Sequence, residues 1–141
     1  MRAVTYTEGS SIDAPGALVD TTFADPVPTG RDLLVRVHAV SVNPIDTKVR
    51  QGAYQQACTP KILGWDAAGI VTAVGPEARL FKPGDAVFYA GALDRPGSNA
   101  TLQCVDERLV GRKPDTLGFS AAAALPLTAL TAWEMLFDRL D

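Results

Sequence analysis

Leu33-Leu34-Val35-Arg36-Val37-His38-Ala39-Val40-Ser41-Val42-Asn43-Pro44-Ile45-Asp46 changes period part-way along, and the fold can be worked out from that change. Val35, Val37 and Ala39 point one way, and Leu34, Arg36 and His38 the other. This is the pattern of a half-buried strand over Leu33 to Val42. Asn43-Pro44 then ends the alternation. Asn can cap a helix and Pro fits its first position, so Ile45 to Arg50 is expected as one or two helical turns closed by Gly52.

Upstream, Arg2 to Thr7 and Leu18 to Phe23 read as strands on either side of the Ala14-Pro15-Gly16 break. Asp25-Pro26-Val27-Pro28-Thr29-Gly30 is a connector, because its prolines lack backbone donors. Downstream, Gly64 to Gly75 is strand-rich, with glycines that suggest bending and close backbone approach. Phe81 to Tyr89 has Pro83-Gly84 where a type II turn wants them, and a strand follows. Ser98 to Val105 is a further strand. After Pro114 the character changes. Ser120 can cap a short alanine-rich turn, Ala121 to Leu125, which Pro126 interrupts. Thr128 to Leu140 then reads as a helix with one apolar stripe, Leu130, Trp133, Phe137 and Leu140. Strands come first and helices last. The expected class is mainly β with short helices, a compact barrel with an exiting helix, and the βαβ rhythm of a parallel sheet is missing.

The 141 residues fit one domain, and 47% of them are apolar, enough for a sizeable core. A net charge of −3 with acids and bases interspersed argues against a nucleic-acid partner or an anionic membrane surface. No run approaches the ~18 continuous apolar residues of a spanning helix. The start MRAVTYTEGS has no apolar segment of a signal peptide, so a cytoplasmic protein is expected. Cys58 and Cys104 are too few for a disulfide framework. With His38 they would have to converge from distant segments to hold a metal.

Four segments, in this order, resemble the medium-chain dehydrogenase/reductase superfamily: Ser41 to Asp46 (SVNPID), Gly64 to Val71 (GWDAAGIV), Phe81 to Val87 (FKPGDAV) and Ala122 to Trp133 (AAALPLTALTAW). The resemblance implies a GroES-like distorted β-barrel over residues 1–126. It also implies a connecting helix over 127–141 toward a Rossmann domain. In zinc-dependent members a Cys falls at the place of Asn43, and His-Glu at that of Trp65-Asp66. The third ligand falls near Leu125 to Trp133, where this chain has neither Cys nor His. An amide and an indole cannot replace a thiolate and an imidazole on zinc. The resemblance is therefore to the zinc-independent quinone-reductase branch. It implies NADPH as hydride donor and a quinone or activated enone as acceptor.

On the same resemblance, Asn43 lies near the nicotinamide, Thr128 and Thr131 near its carboxamide, and Tyr54 and Trp65 in the acceptor pocket. Each residue also has a plain reading. Asn43 can be a helix cap, the threonines ordinary residues at a helix start, Tyr54 a surface aromatic and Trp65 packing. Asp46 and Asp66 form a possible carboxylate pair, read first as a helix-turn stabiliser and as a tie for a bend or the partner of a nearby base. His38 reads as an exposed strand residue. The glycine-rich dinucleotide turn is missing, because the chain contains no Gly-x-Gly. These residues alone are therefore expected neither to hold NADPH tightly nor to turn over. The alternatives left open are a zinc-free enoyl reductase of the same superfamily, or a stand-alone GroES-like module that dimerises through its terminal stripe.

Overall fold

The computed structural model describes residues 1–54, 58 and 60–140. Among the described residues there are seven strands and three α-helices, and all but the last strand follow the expected order. They are β1 (Arg2–Tyr6), β2 (Leu18–Thr22), β3 (Asp32–Ser41), α1 (Pro44–Arg50), β4 (Asp66–Val74), β5 (Ala86–Ala90), β6 (Leu102–Asp106), β7 (Val110–Arg112), α2 (Phe119–Ala123) and α3 (Pro126–Glu134). β1 and β2 form an antiparallel hairpin. The other strands make a five-stranded antiparallel sheet in the order β6-β3-β4-β5-β7. Single bridges, Ala3 to Ala100 and Thr5 to Ile62, join the hairpin to the segments around that sheet. The architecture read from the sequence holds: mainly β, with short helices and a helix at the C-terminal end.

β3 lies inside the sheet, between β6 and β4, and one of its faces is apolar throughout. Leu33 and Val35 are fully buried, Val37 and Ala39 half-buried, and Arg36 and His38 exposed. Leu33 and Val35 pack with Ala67, Val71, Val87, Tyr89 and Val105 in the main core. Burial stabilises each large aliphatic side chain there by about 1.5–3 kcal/mol. Gly69 supplies the close approach expected of the glycine-bearing strand. A Cβ on it would lie 2.2 Å from the Arg36 carbonyl oxygen. Gly84 has φ 95°, as a type II turn after Pro83 requires.

Two boundaries differ from the sequence reading. The strand expected from Ser98 begins at Leu102, and a bend with one bridge residue precedes it. The last helix begins at Pro126 instead of Thr128, because the N1 position needs no N–H and proline satisfies it. The alanine-rich turn is α2. Its N-cap is Gly118, so Ser120 lies inside the helix and does not cap it. Ala122 and Ala123 are fully buried against Ala68, a close contact that small side chains permit. β7 and the 3₁₀ turn Glu107–Leu109 had no counterpart in the sequence reading.

The run Phe119–Arg139 is long and apolar enough, by length and composition, to cross a membrane, with a mean hydropathy of 1.2. Pro126, Glu134, Asp138 and Arg139 interrupt it, so it holds no unbroken apolar stretch of that length. The break before Pro126 leaves nine α-helical and five π-wound residues in one piece. Those reach ~21 Å, short of the ~30 Å of a bilayer core. Leu130, Trp133, Phe137 and Leu140 are all more than half exposed, so the expected stripe exists and stands uncovered in this chain.

Candidate functional site

The site is built where β3 hands over to α1. Asn43 is the N-cap of α1 and forms a capping box with Asp46, whose Oδ2 accepts the Asn43 N–H at 2.8 Å. The Asn43 Nδ2 donates to Asp66 Oδ2, also at 2.8 Å. Asp66 opens β4 and is completely buried, and its Oδ1 accepts the Leu127 N–H at 2.8 Å. One carboxylate thus ties the α1 entry to the first turn of α3.

Burial pushes the carboxyls of both Asp46 and Asp66 above the usual range. Opposing this are the N–H groups of Asn43 and Gly64 at Asp46, and the Asn43 amide and Leu127 N–H at Asp66. The charge of Asp46 adds to the upward push on Asp66. Asp46 Oδ1 is buried and has no hydrogen-bond partner among the described residues. The reading of Asp46 as a helix-turn stabiliser matches this geometry, whereas Asp66 joins α1 to α3 through an amide and a main-chain N–H instead of tying a bend or pairing with a base.

The structure brings some of the residues singled out from the sequence together and leaves others apart. Asn43 is 8% exposed and held from two sides. Trp65, 2% exposed, packs with Tyr6, Val49 and Leu63, and its Nε1 donates to the Ala92 carbonyl at 3.1 Å. Ile45 and Leu127 pack on the same cluster, so it joins α1 to α3. Thr128 and Thr131 lie on α3, and their hydroxyls donate back to helix carbonyls, of Ala124 and Leu125 for the first and Leu127 for the second. Each hydroxyl oxygen keeps accepting capacity. Tyr54 is half exposed beyond α1. His38 is exposed as expected and stacks on Phe119 at 4.5 Å.

Cavities of about 610 and 500 Å³ lie elsewhere, one between the β1–β2 hairpin and β3, the other beside the Arg95–Asp32 ion pair. Neither is lined by Asn43, Tyr54 or Trp65. Among the described residues no three His, Cys, Asp or Glu side chains gather as a metal-holding group. The reading that tied Asp66 to a bend did not name Leu127 or Asn43 as its partners. Their only sequence signal was a lone acid among apolar strand residues.

Residues 29–132 match the alcohol dehydrogenase GroES-like domain. A zinc-type alcohol dehydrogenase-like protein of Staphylococcus aureus is 51% identical over 113 residues, which are 80% of this chain and 33% of that protein. The crystal structure of an alcohol dehydrogenase superfamily protein from Novosphingobium aromaticivorans superposes with a TM-score of 0.86 at 40% identity. It covers 99% of this chain and 42% of its own. Escherichia coli quinone oxidoreductase complexed with NADPH gives 0.85 at 29% identity, covering 97% and 40%. The chain spans about a third of the length of the curated relatives it matches most strongly.

Proposed function

The chain belongs to the alcohol dehydrogenase GroES-like domain family, and from that premise we propose that it is the substrate-side part of a longer NADPH-dependent oxidoreductase that reduces a quinone or activated enone without zinc. Residues 1–126 form the acceptor side, and 127–141 lead toward a nucleotide-binding Rossmann domain. Asp141 lies outside the described residues.

The observation that carries this reading is the pair of bonds at Asn43. Its amide, which by the sequence resemblance stands where zinc-dependent members carry a thiolate, is engaged with a buried carboxylate. Beside it, the Trp65 indole replaces an imidazole and has its only donor committed to a backbone carbonyl. A donor set of amide and indole does not suit Zn²⁺. The zinc-type name of the staphylococcal relative describes that protein.

NADPH, when bound, supplies the hydride. The contribution of this chain is orientation and a hydrogen bond. One Asn43 N–H is held by Asp66, and the other reaches the Ser41 carbonyl only at 3.5 Å, weak enough to be given up to an acceptor oxygen. As a reduced quinone or enone gains charge on its conjugated oxygen, that donor stabilises it. Thr128 and Thr131 can accept from a carboxamide N–H₂ through their oxygens. Tyr54 and the Trp65 cluster shape the acceptor wall, and the remainder of the longer protein closes the cleft.

The test is a screen on the longer protein: a benzoquinone, cyclohexenone and an enoyl thioester with NADPH and, in the reverse direction, a primary alcohol with NADP⁺. Fast NADPH oxidation with the quinone or the cyclic enone supports the reading. Preference for the thioester makes the protein an enoyl reductase. Zinc-dependent alcohol oxidation overturns the zinc-free account. The exposed Leu130, Trp133 and Phe137 stripe favours one further reading, a binding module that dimerises through this helix. Turnover-free dimers of this chain with the stripe covered would support it.

A further inference from the structure

Asp66 is completely buried, and its side chain is bonded to both arms of the site. It holds Asn43 at 2.8 Å with one oxygen and the Leu127 N–H at 2.8 Å with the other. These partners lie 23 and 61 residues away from it in sequence. We propose that Asp66 is a positioning residue that sets the register between the Asn43 donor and α3, the helix carrying Thr128 and Thr131.

The chemistry favours a carboxylate here. Two donors converge on one buried group, so it must accept twice in a fixed fork. An asparagine would present one acceptor and one N–H₂ against those same donors, breaking one of the two bonds. A misplacement of about 1 Å in a reacting geometry costs roughly 100-fold in rate. Releasing Asn43 or α3 would therefore be felt at the acceptor oxygen, although Asp66 never meets it.

This inference rests on the oxidoreductase reading for its kinetic consequence, and the experiment separates the two. In the longer protein, ¹⁵N-Asn and ¹⁵N-Leu labelling reports hydrogen exchange at the Asn43 side-chain amide and the Leu127 N–H. Both are protected in the wild type. Asp66→Asn should release at least one of them and loosen the other; unchanged protection at both sites overturns the tether whatever the activity proves to be.

In turnover with NADPH and a benzoquinone, Asp66→Asn should lower kcat about 10- to 100-fold with little change in the KM for NADPH. The double variant Asn43→Ala/Asp66→Asn should lose clearly less than the product of the two single losses, because one of the two arms that Asp66 holds is already gone. Additive losses, or a folded Asp66→Asn with wild-type kcat, refute the positioning role. Should Asp66→Asn not fold, Asp66→Glu keeps both acceptors displaced by one methylene. It should retain protection at both amides with reduced kcat, and lost protection with unchanged kcat overturns the proposal. A protein inactive with every acceptor but with the coupled exchange pattern intact would refute the reaction and leave the tether standing.

Discussion

Asp46 and Asp66, on different elements, grip the same asparagine: one takes the main-chain N–H of Asn43, the other its side-chain amide, each at 2.8 Å. Both carboxyls are buried and pushed upward, chiefly by desolvation. A group with a raised folded-state pKa binds its proton more tightly in the native than in the unfolded chain. Its stabilising effect is complete below the unfolded value of about 4 and is lost as pH rises through the folded value. Relative to Asp66→Asn, the wild type should therefore gain stability as pH is lowered from 7 to 4. Urea denaturation midpoints across that range check this, and a widening wild-type advantage toward pH 7 contradicts it.

Glu107 behaves in the opposite sense. Burial pushes its carboxyl up, but the N–H groups of Leu80 and Arg79 and the Arg31 guanidinium outweigh that and hold it below the usual range. Its stabilisation is present above the unfolded value and is lost as pH falls through the depressed folded one. Glu107→Gln replaces one acceptor oxygen with an N–H₂ among donors. It should lower Tm by about 10 °C at pH 7, with the difference shrinking in acid. Calorimetry at the two pH values reads both outcomes.

Tyr89 is buried beside Gln103, and its hydroxyl donates to Oε1 at 2.8 Å. Tyr89→Phe strands that oxygen in the core and should cost about 1–2 kcal/mol in chemical denaturation. A neutral substitution would mean that the oxygen finds water.

At Gly69 no side chain fits. Gly69→Ala would drive its methyl into the Arg36 carbonyl and the Val35 side chain, so β3 and β4 must separate. A loss of about 2–3 kcal/mol is expected, against under about 1 kcal/mol at Gly118, where a Cβ meets open space and only the N-cap preference of α2 is lost.

Cys104 is half-buried, and desolvation pushes its thiol up to about 11. Burial raises Cys58 as well. Thiolate is the nucleophile, so both should react with iodoacetamide at pH 7 more slowly than a free cysteine. Rapid labelling of either would contradict this.

Much of this architecture was legible in the sequence because it is local. The alternation of β3, the Asn43-Pro44 helix entry and the Pro83-Gly84 turn are each written within a few neighbouring residues. β7 was not, since three residues carry no period. Nor were the buried grips of Glu107 and Asp66, whose partners come from distant segments and leave no mark on spacing. At the site, sequence singled out Asn43 and Trp65 but not the bonds that immobilise them. The π-wound end of the last helix, over Met135–Arg139, likewise has no local signature.

The most direct measurement is metal content together with turnover on the longer protein. After exhaustive chelation the account predicts far less than one zinc per chain and undiminished NADPH-driven reduction of a benzoquinone. One tightly held zinc per chain, whose removal abolishes that activity and whose return restores it, would contradict an amide and an indole standing in the metal's place.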